Sequence, residues 1–139
     1  MNIKKFQKKK IEEMEIKKTG KLFSFCCVAP LIIKKKNNQD IKKFENIGAD
    51  IGLLFQVADD LIDYKGSLLV AGKKTGKDKK KGKATLISLL GYKNTIKYAN
   101  KLIFKINNKL KKYGSNSKNL YETLDYILNR NKWKVITNF

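Results

Sequence analysis

An all-α fold is predicted by the composition of the chain and by the spacing of its apolar residues. Of the 139 residues, 42% are hydrophobic, and only one is Pro and nine are Gly. This composition suits a helical globular protein better than a disordered or β-rich one. A chain of this length is about one ordinary domain, which can bury a core in water. We therefore expect one helical domain.

Two helical segments are predicted in the first half of the chain. The segment Ile11 to Ile33 combines good helix formers with an apolar second half, and Pro30 marks a kink or an end within it. Lys34 to Asn38 is expected to form a loop. Asp40 is the expected N-cap of the next helix, in which apolar residues recur in steps of three and four. Those residues are Ile41, Phe44, Ile47, Ile51, Leu54, Ala58 and Leu61.

A flexible loop is predicted between Tyr64 and Lys83. Apolar residues thin out there, and glycines interrupt a segment that is rich in Lys. Glycines let backbone amides approach a ligand closely, and functional residues often collect in such loops. This segment is therefore a candidate binding loop.

Three helices are predicted after this loop. Ala84 to Leu90 forms a short helix closed by Gly91, and Thr95 to Tyr113 forms an amphipathic helix stopped by Gly114. A final helix is expected to start at Ser117, and residues 131–139 remain as a frayed basic tail. The inward residues are Ile96, Ala99, Ile103, Ile106 and Leu110 in the second of these helices and Leu120, Leu124, Ile127 and Leu128 in the third.

The formal net charge of +20 has two interpretations. Clustered Lys can hold nucleic acid, anionic lipid or phosphorylated metabolites. The accompanying abundance of Ile and Asn is equally typical of biased codon usage, so charge alone does not decide between the two. Aromatic residues are not interleaved with the Lys-rich segment, as a stacking platform for bases would require, and we expect no nucleic-acid partner.

The residues that the sequence lacks exclude several kinds of catalytic and metal-binding site. It has no His, so His-based acid/base catalysis and His metal ligation are excluded, and any metal must sit on carboxylates. Cys26 and Cys27 are adjacent, which suits neither metal ligation nor an ordinary disulfide framework, and core packing is their expected role. No apolar stretch reaches the ~18 residues that a membrane-spanning helix needs. We expect no membrane span and a cytoplasmic setting.

Three carboxylates in an otherwise apolar helix form the candidate metal site. Asp59, Asp60 and Asp63 follow Gln56, and helical spacing allows all four to line one end of a cavity. Such a cluster suits Mg²⁺, which keeps several waters and bridges to substrate phosphates. The competing interpretation is a solvated acidic face, which is the usual meaning of a run of charges.

Ammonium groups adjoin this acidic cluster in the sequence and favour the metal interpretation. The lysines that follow it are Lys73, Lys74, Lys77, Lys79, Lys80, Lys81 and Lys83. A carboxylate-bound cation beside ammonium donors suits a diphosphate with its metal. Upstream, Lys18, Thr19 and Gly20 offer a further ammonium, a hydroxyl and a flexible backbone.

The order of these elements resembles the second half of the trans-isoprenyl diphosphate synthases, the polyprenyl synthetases of the farnesyl and geranyl diphosphate synthase class. The matching series is Lys18-Thr19-Gly20, Phe55-Gln56 with Asp59-Asp60-x-x-Asp63, Gly72-Lys73, Gly76-x-Asp78 and Gly82-Lys83-x-Thr85. The resemblance covers about residues 11–130. Residues 1–130 are therefore expected to be the C-terminal half of a synthase domain, followed by the basic tail 131–139.

The resemblance implies a partial isoprenoid synthase fold, in which the helices of this chain form half of an all-α bundle around a central cavity. In that family an allylic diphosphate is held through Mg²⁺ between two facing aspartate-rich motifs. By analogy the diphosphate-binding residues are Lys18, Lys73 and Lys83, the metal ligands are Asp59, Asp60 and Asp63, and the catalytic residues are Lys18, Thr19 and Gln56. Thr19 and Gln56 would stabilise the developing allylic cation or the surroundings of the diphosphate.

The reaction implied by the resemblance is a Mg²⁺-dependent condensation of isopentenyl diphosphate with an allylic diphosphate. The allylic C–O bond ionises, the double bond of isopentenyl diphosphate attacks, and a proton is lost. Diphosphate leaves readily only if metal ions and ammonium groups already meet its charge, and the carbocation survives only in a dry pocket. Released diphosphate is the natural proton acceptor in a chain without His.

The first aspartate-rich motif of that family is missing from the sequence. In the family it lies far upstream of the Lys-Thr element, whereas seventeen residues precede Lys18 here and none of them is Asp. We therefore expect a truncated or split synthase that is inactive alone. Its expected partner is a chain that supplies the missing half, or a second copy of itself. The open face left by absent helices also predicts exposed apolar surface and self-association.

A non-catalytic partner or regulatory subunit of a full-length synthase is the alternative hypothesis. Such a subunit would pair with the synthase through helix faces that are otherwise uncovered. Co-purification with a synthase that is active without it would distinguish this hypothesis from a split enzyme.

Overall fold

The computed structural model describes residues 3–71 and 85–129, which are helical apart from short connections and contain no strand. The α-helices are α1 Ile3–Glu15, α2 Lys21–Ile33, α3 Asn38–Ala71, α4 Leu86–Leu90, α5 Tyr92–Leu110 and α6 Lys118–Asn129. A π-helical turn, Ile16–Gly20, joins α1 to α2, and a 3₁₀-helical segment, Lys111–Ser117, joins α5 to α6. The predicted all-α fold is confirmed. The predicted basic tail lies outside the described residues.

The long helix α3 is the centre of the fold and packs against α1, α2, α4, α5 and α6. It supplies more buried core residues than any other described helix, and the core continues into α4, α5 and α6. The largest fully buried side chains are Ile47, Ile51, Leu54, Val57, Leu86, Thr95, Ile106 and Leu110. Burying one such aliphatic side chain contributes about 1.5–3 kcal/mol. The core is therefore organised around one face of α3, as the predicted apolar spacing requires.

The first helical segment is longer than predicted and is interrupted. It begins at Ile3 instead of Ile11, and the π-helical turn divides it into α1 and α2. Pro30 lies in the last turn of α2, and its carbonyl accepts a hydrogen bond from the N–H of Lys34 at 3.0 Å. Because Pro lacks an N–H only one backbone bond is lost there, and the helix ends soon afterwards at Ile33.

The start of α3 lies slightly before the predicted position. Asn37, and not Asp40, is the capping residue: its Oδ1 accepts a hydrogen bond from the N–H of Asp40 at 2.9 Å. The carboxylate of Asp40 in turn accepts a hydrogen bond from Nδ2 of Asn37 at 2.9 Å. This reciprocal pair satisfies a free N–H at the helix start, and it places an acidic residue where the helix dipole favours negative charge.

The first part of the segment predicted as a loop, from Tyr64 to Ala71, is helical and belongs to α3. Tyr64 stacks on Tyr92 of α5 with 5.3 Å between ring centroids, which holds this part of α3 against its neighbour. A single Gly inside a helix, here Gly66, costs only about 1 kcal/mol, so tertiary contacts override it. The rest of the predicted loop lies outside the described residues.

The helices after the loop follow the prediction closely. Thr85 caps α4 in a reciprocal pair with Ser88, and Gly91, at φ +77°, ends it. Gly114, at φ +54°, interrupts the helical geometry between α5 and α6, and Ser117 precedes α6. Positive φ is accessible to Gly without steric cost, which explains both stops. No helix in the described ranges is long and apolar enough to cross a membrane.

Candidate active site

Two glycines of α3 let the backbones of α2 and α3 touch. A Cβ at Gly48 would lie 2.6 Å from the carbonyl oxygen of Phe23, and a Cβ at Gly52 would lie 2.5 Å from the Cα of Gly20. Both distances are too short for any side chain. The hydroxyl of Ser24 donates to the carbonyl of Glu45 at 3.0 Å in the same contact. Residue numbers rise on one helix as they fall on the other, so the helices are antiparallel and their register is fixed.

This register brings together Thr19 and Gln56, two predicted site residues that lie far apart in the sequence. The hydroxyl of Thr19 donates to Oε1 of Gln56 at 3.1 Å. Gln56 is buried and Thr19 half-buried. Thr19 belongs to the π-helical turn, a feature that is frequent at functional sites. The pair fixes the orientation of the Gln56 carbonyl oxygen.

Glu15, which sequence reasoning missed, lies one turn before Thr19 on the same inward face. It is 4% exposed, and its Oε2 has no hydrogen-bond partner among the described residues. Burial raises the pKa of its carboxyl, the charge of Asp60 raises that pKa further, and the charge of Lys18 lowers it. The only sequence signal for Glu15 was its four-residue spacing from Ile11 and Thr19.

The predicted metal ligands lie at the same end of α3 but are not equally buried. Asp59 and Asp60 are half-buried, and Asp63 is exposed. Within residues 3–71 and 85–129, no group of three or more acidic or Cys side chains converges as a metal site. Mg²⁺ needs only one or two carboxylates when phosphates complete its shell. The unpartnered oxygen of Glu15 beside the charge of Asp60 is a donor set of that kind, so the residues present fit this ion.

The predicted basic residues are only partly described. Lys18 is exposed and lines a surface groove together with Lys10, Glu13, Met14 and Lys17. The groove has an excess of ammonium groups next to the Thr19–Gln56 pair in the chain, which suits an anionic ligand. Lys73 and Lys83, the other predicted diphosphate contacts, lie outside the described residues.

Two polar contacts hold α5 against the helices that carry the site. Asp50 of α3 accepts hydrogen bonds from the ammonium groups of Lys105 at 2.8 Å and Lys109 at 2.7 Å. The hydroxyl of Tyr98 donates to the carboxylate of Glu12 at 2.6 Å. Burial and the bond to Glu12 raise the pKa of Tyr98, so it stays a donor at neutral pH. Neither contact was predicted, because each joins residues distant in the sequence.

The helix α2 exposes an apolar face that begins directly after the π-helical turn. Its exposed side chains include Leu22 at 65%, Phe25 at 66% and Ile33 at 79% of their surface. Cys26 is exposed as well and Cys27 half-buried, so the predicted core packing is wrong for Cys26 and only partly met by Cys27. The expected exposed apolar surface is thus present, whereas self-association stays a prediction.

Comparison with known proteins agrees with the motif series. A family model described as polyprenyl synthetase matches residues 1–126. The chain is 34% identical over 122 residues to the farnesyl diphosphate synthase of Micrococcus luteus, which covers 88% of the chain and 42% of the relative. It is 34% identical over 122 residues to geranylgeranyl pyrophosphate synthase 4 of Arabidopsis thaliana, covering 87% of the chain and 33% of the relative. It is also 32% identical over 126 residues to the farnesyl diphosphate synthase of Escherichia coli, covering 88% and 42%.

The three alignments cover a similar share of this chain and match proteins with similar names. The chain spans less than half the length of each of these curated relatives. The family model matches most of the chain, including the segments that carry the Thr19–Gln56 pair and the aspartates of α3. The chain therefore belongs to the polyprenyl synthetase family.

Proposed function

We propose that this chain is the part of a prenyl diphosphate synthase that carries the second aspartate-rich motif. In this proposal it takes part in the Mg²⁺-dependent condensation of isopentenyl diphosphate with an allylic diphosphate. The observation that carries the proposal is the Thr19–Gln56 hydrogen bond at 3.1 Å, which joins two motif elements 37 residues apart. Family membership supports the same reaction class.

Each residue type has a role that its chemistry suits. Asp59, Asp60 and Asp63 would hold Mg²⁺, which when bound would supply positive charge to offset that of the leaving diphosphate. Lys18, Lys73 and Lys83 bind the diphosphate oxygens through their ammonium groups. Thr19 orients the side-chain oxygen of Gln56, and oxygen dipoles of this kind favour an allylic cation formed nearby.

The first aspartate-rich motif is supplied by protein outside these 139 residues, either by another part of the same polypeptide or by a second chain. The exposed apolar face of α2 supports the same view, because a large apolar patch usually marks a contact surface. This face starts at the residue that follows Gly20, so a partner seated on it borders the site.

The alternative function is a non-catalytic partner or regulatory subunit of a complete synthase. The apolar face of α2 is the observation that favours it, because the same surface suits any docked helix. Co-purification with a synthase that retains full activity without this chain would establish the alternative and remove the split-enzyme proposal.

Chain elongation tests the proposal directly. The purified chain is incubated with isopentenyl diphosphate, an allylic diphosphate and Mg²⁺, alone and together with the part of the Micrococcus luteus synthase that it does not match. We expect a longer prenyl diphosphate, detected by mass spectrometry, only in the mixture, and its loss with Asp59→Asn. Product from the chain alone would contradict the need for a partner.

Ligand binding separates the site assignment from the assembly question. Farnesyl diphosphate is titrated into the chain with and without Mg²⁺, and into Asp59→Asn and Lys73→Ala. We expect Mg²⁺ to tighten binding and both variants to weaken it. Equal binding in all of these conditions would remove the assignment of the site.

A further inference from the structure

Glu15 and Asp60 face each other on neighbouring helices, one turn beyond the Thr19–Gln56 pair. Glu15 precedes Thr19 by four residues, and Asp60 follows Gln56 by four residues on an antiparallel helix. The close contact of Gly20 with Gly52 fixes this register. The charge of Asp60 acts on the carboxyl of Glu15, as opposed positions require. Two carboxyl groups are thus presented toward each other across the helix interface.

The described residues compensate the buried carboxyl of Glu15 only in part. Its Oε2 lacks a hydrogen-bond partner although the residue is only 4% exposed. A buried charged group without a partner costs several kcal/mol, and a nearby like charge adds to that cost. Lys18 attracts the carboxylate but is itself exposed and lines the surface groove. A cation between the two helices would relieve both the burial and the repulsion.

Asp50, the other buried carboxylate among residues 3–71 and 85–129, shows how an acid with a structural role is paired. Asp50 is 8% exposed, and each of its carboxylate oxygens accepts a hydrogen bond from a Lys ammonium, at 2.8 Å and 2.7 Å. Glu15 has a similar burial and lacks that compensation. The difference indicates that the partner of Glu15 is not a side chain of the described residues, which leaves the position open to a ligand.

We propose that Glu15 is a further cation-binding residue of the site, which takes up Mg²⁺ jointly with Asp60, one carboxylate from each helix. This inference rests on the proposed function, because the ion is the one that accompanies the diphosphate. A pair of carboxylates is sufficient, since Mg²⁺ keeps several waters and completes its shell with phosphate oxygens. The π-helical turn that follows Glu15 places Thr19 beside this cation site.

Matched glutamine substitutions test the role of Glu15. Glu15→Gln keeps the size of the side chain and removes its charge, and Glu122→Gln makes the same change at an exposed position of α6. Mg²⁺ binding is measured by calorimetry on the full chain with farnesyl diphosphate present, and the melting temperature is measured in EDTA and in Mg²⁺.

We expect Glu15→Gln to weaken Mg²⁺ binding by about tenfold or more and to abolish the rise in melting temperature caused by Mg²⁺. In EDTA the same variant melts at or above the wild-type temperature, because an unpaired buried charge is gone. A residue with a structural role alone would not produce these opposite effects. Glu122→Gln behaves as wild type in both measurements.

Two outcomes would overturn the inference, and they differ in what they leave standing. Wild-type Mg²⁺ affinity in Glu15→Gln, with loss of binding in Asp60→Asn, removes Glu15 from the site and leaves the proposed function intact. No Mg²⁺ binding by the wild-type chain with farnesyl diphosphate removes both. If Glu15→Gln does not fold, Glu15→Asp keeps the charge on a shorter side chain, and unchanged Mg²⁺ affinity in that variant counts against the inference.

Discussion

The buried carboxylates on the two sides of α3 have different surroundings. On the side of α5, Asp50 is held between Lys105 and Lys109 and forms a closed ionic contact. On the side of α1, Glu15 feels the charge of Asp60, and one of its carboxyl oxygens has no hydrogen-bond partner in the part of the chain that the structure describes. A compensated acid of the first kind stabilises the packing of helices, whereas an uncompensated acid of the second kind is costly and is expected where a ligand binds. Asp50 therefore belongs to the contacts that stabilise the helix bundle, whereas Glu15 belongs to the candidate site.

The largest expected effect is on the close contact between Gly52 and Gly20, which sets the register of the helices that carry the candidate site. Gly52→Ala places a Cβ 2.5 Å from the Cα of Gly20, and backbone cannot move aside as a flexible side chain can. We expect unfolding free energy to fall by about 3 kcal/mol or more. In hydrogen exchange, the amides of α2 should lose protection before those of α5.

Gly66→Ala is the matched control in the same helix. A Cβ there meets nothing within 4 Å, and Ala is the better helix former, so stability should rise by about 0.5–1 kcal/mol. Equal destabilisation by the two substitutions would show that the close approach of α2 to α3 is not what Gly52 provides.

The next largest effect is expected at Asp50, the buried acid that two lysines bind. Asp50→Asn removes the charge that two ammonium groups share, and we expect a loss of about 2 kcal/mol in unfolding free energy. Chemical denaturation measures this loss, and Lys109→Met provides a double-mutant cycle with it. Mg²⁺ binding should not change, because the contact faces α5. A loss of Mg²⁺ affinity in Asp50→Asn would erase the distinction between the two sides.

The smallest expected effect is a pH dependence of stability that arises from Glu15. The pKa of Glu15 is raised in the folded chain, so the folded state binds more protons than the unfolded state between the ordinary pKa of 4.5 and the raised value. In EDTA, the stability contribution of this group is therefore largest at acid pH and is lost as pH rises through that window. Denaturation of wild type and Glu15→Gln across this range checks it. Identical pH profiles would contradict a raised pKa.

Helical faces were predictable because they depend on local spacing. The face from Ile47 to Leu61 is buried as expected, and the stops at Gly91 and Gly114 have the positive φ that Gly adopts easily. The end of α3 was placed too early, because the packing of Tyr64 on Tyr92 joins residues that are distant in the chain. The cytoplasmic setting and the roles of Lys73 and Lys83 stay predictions.

The sequence by itself determined the helical class, the order of the motif residues and the family to which they belong. Tertiary structure decided which of those residues meet: Thr19 contacts Gln56, and Glu15 lies opposite Asp60, only because Gly48 and Gly52 let two helix backbones touch. The physical reason is that apolar periodicity fixes which face of a helix is buried, whereas the crossing of two helices fixes the partner of each side chain. A glutamate on a buried face therefore becomes informative once the residue across the interface is known.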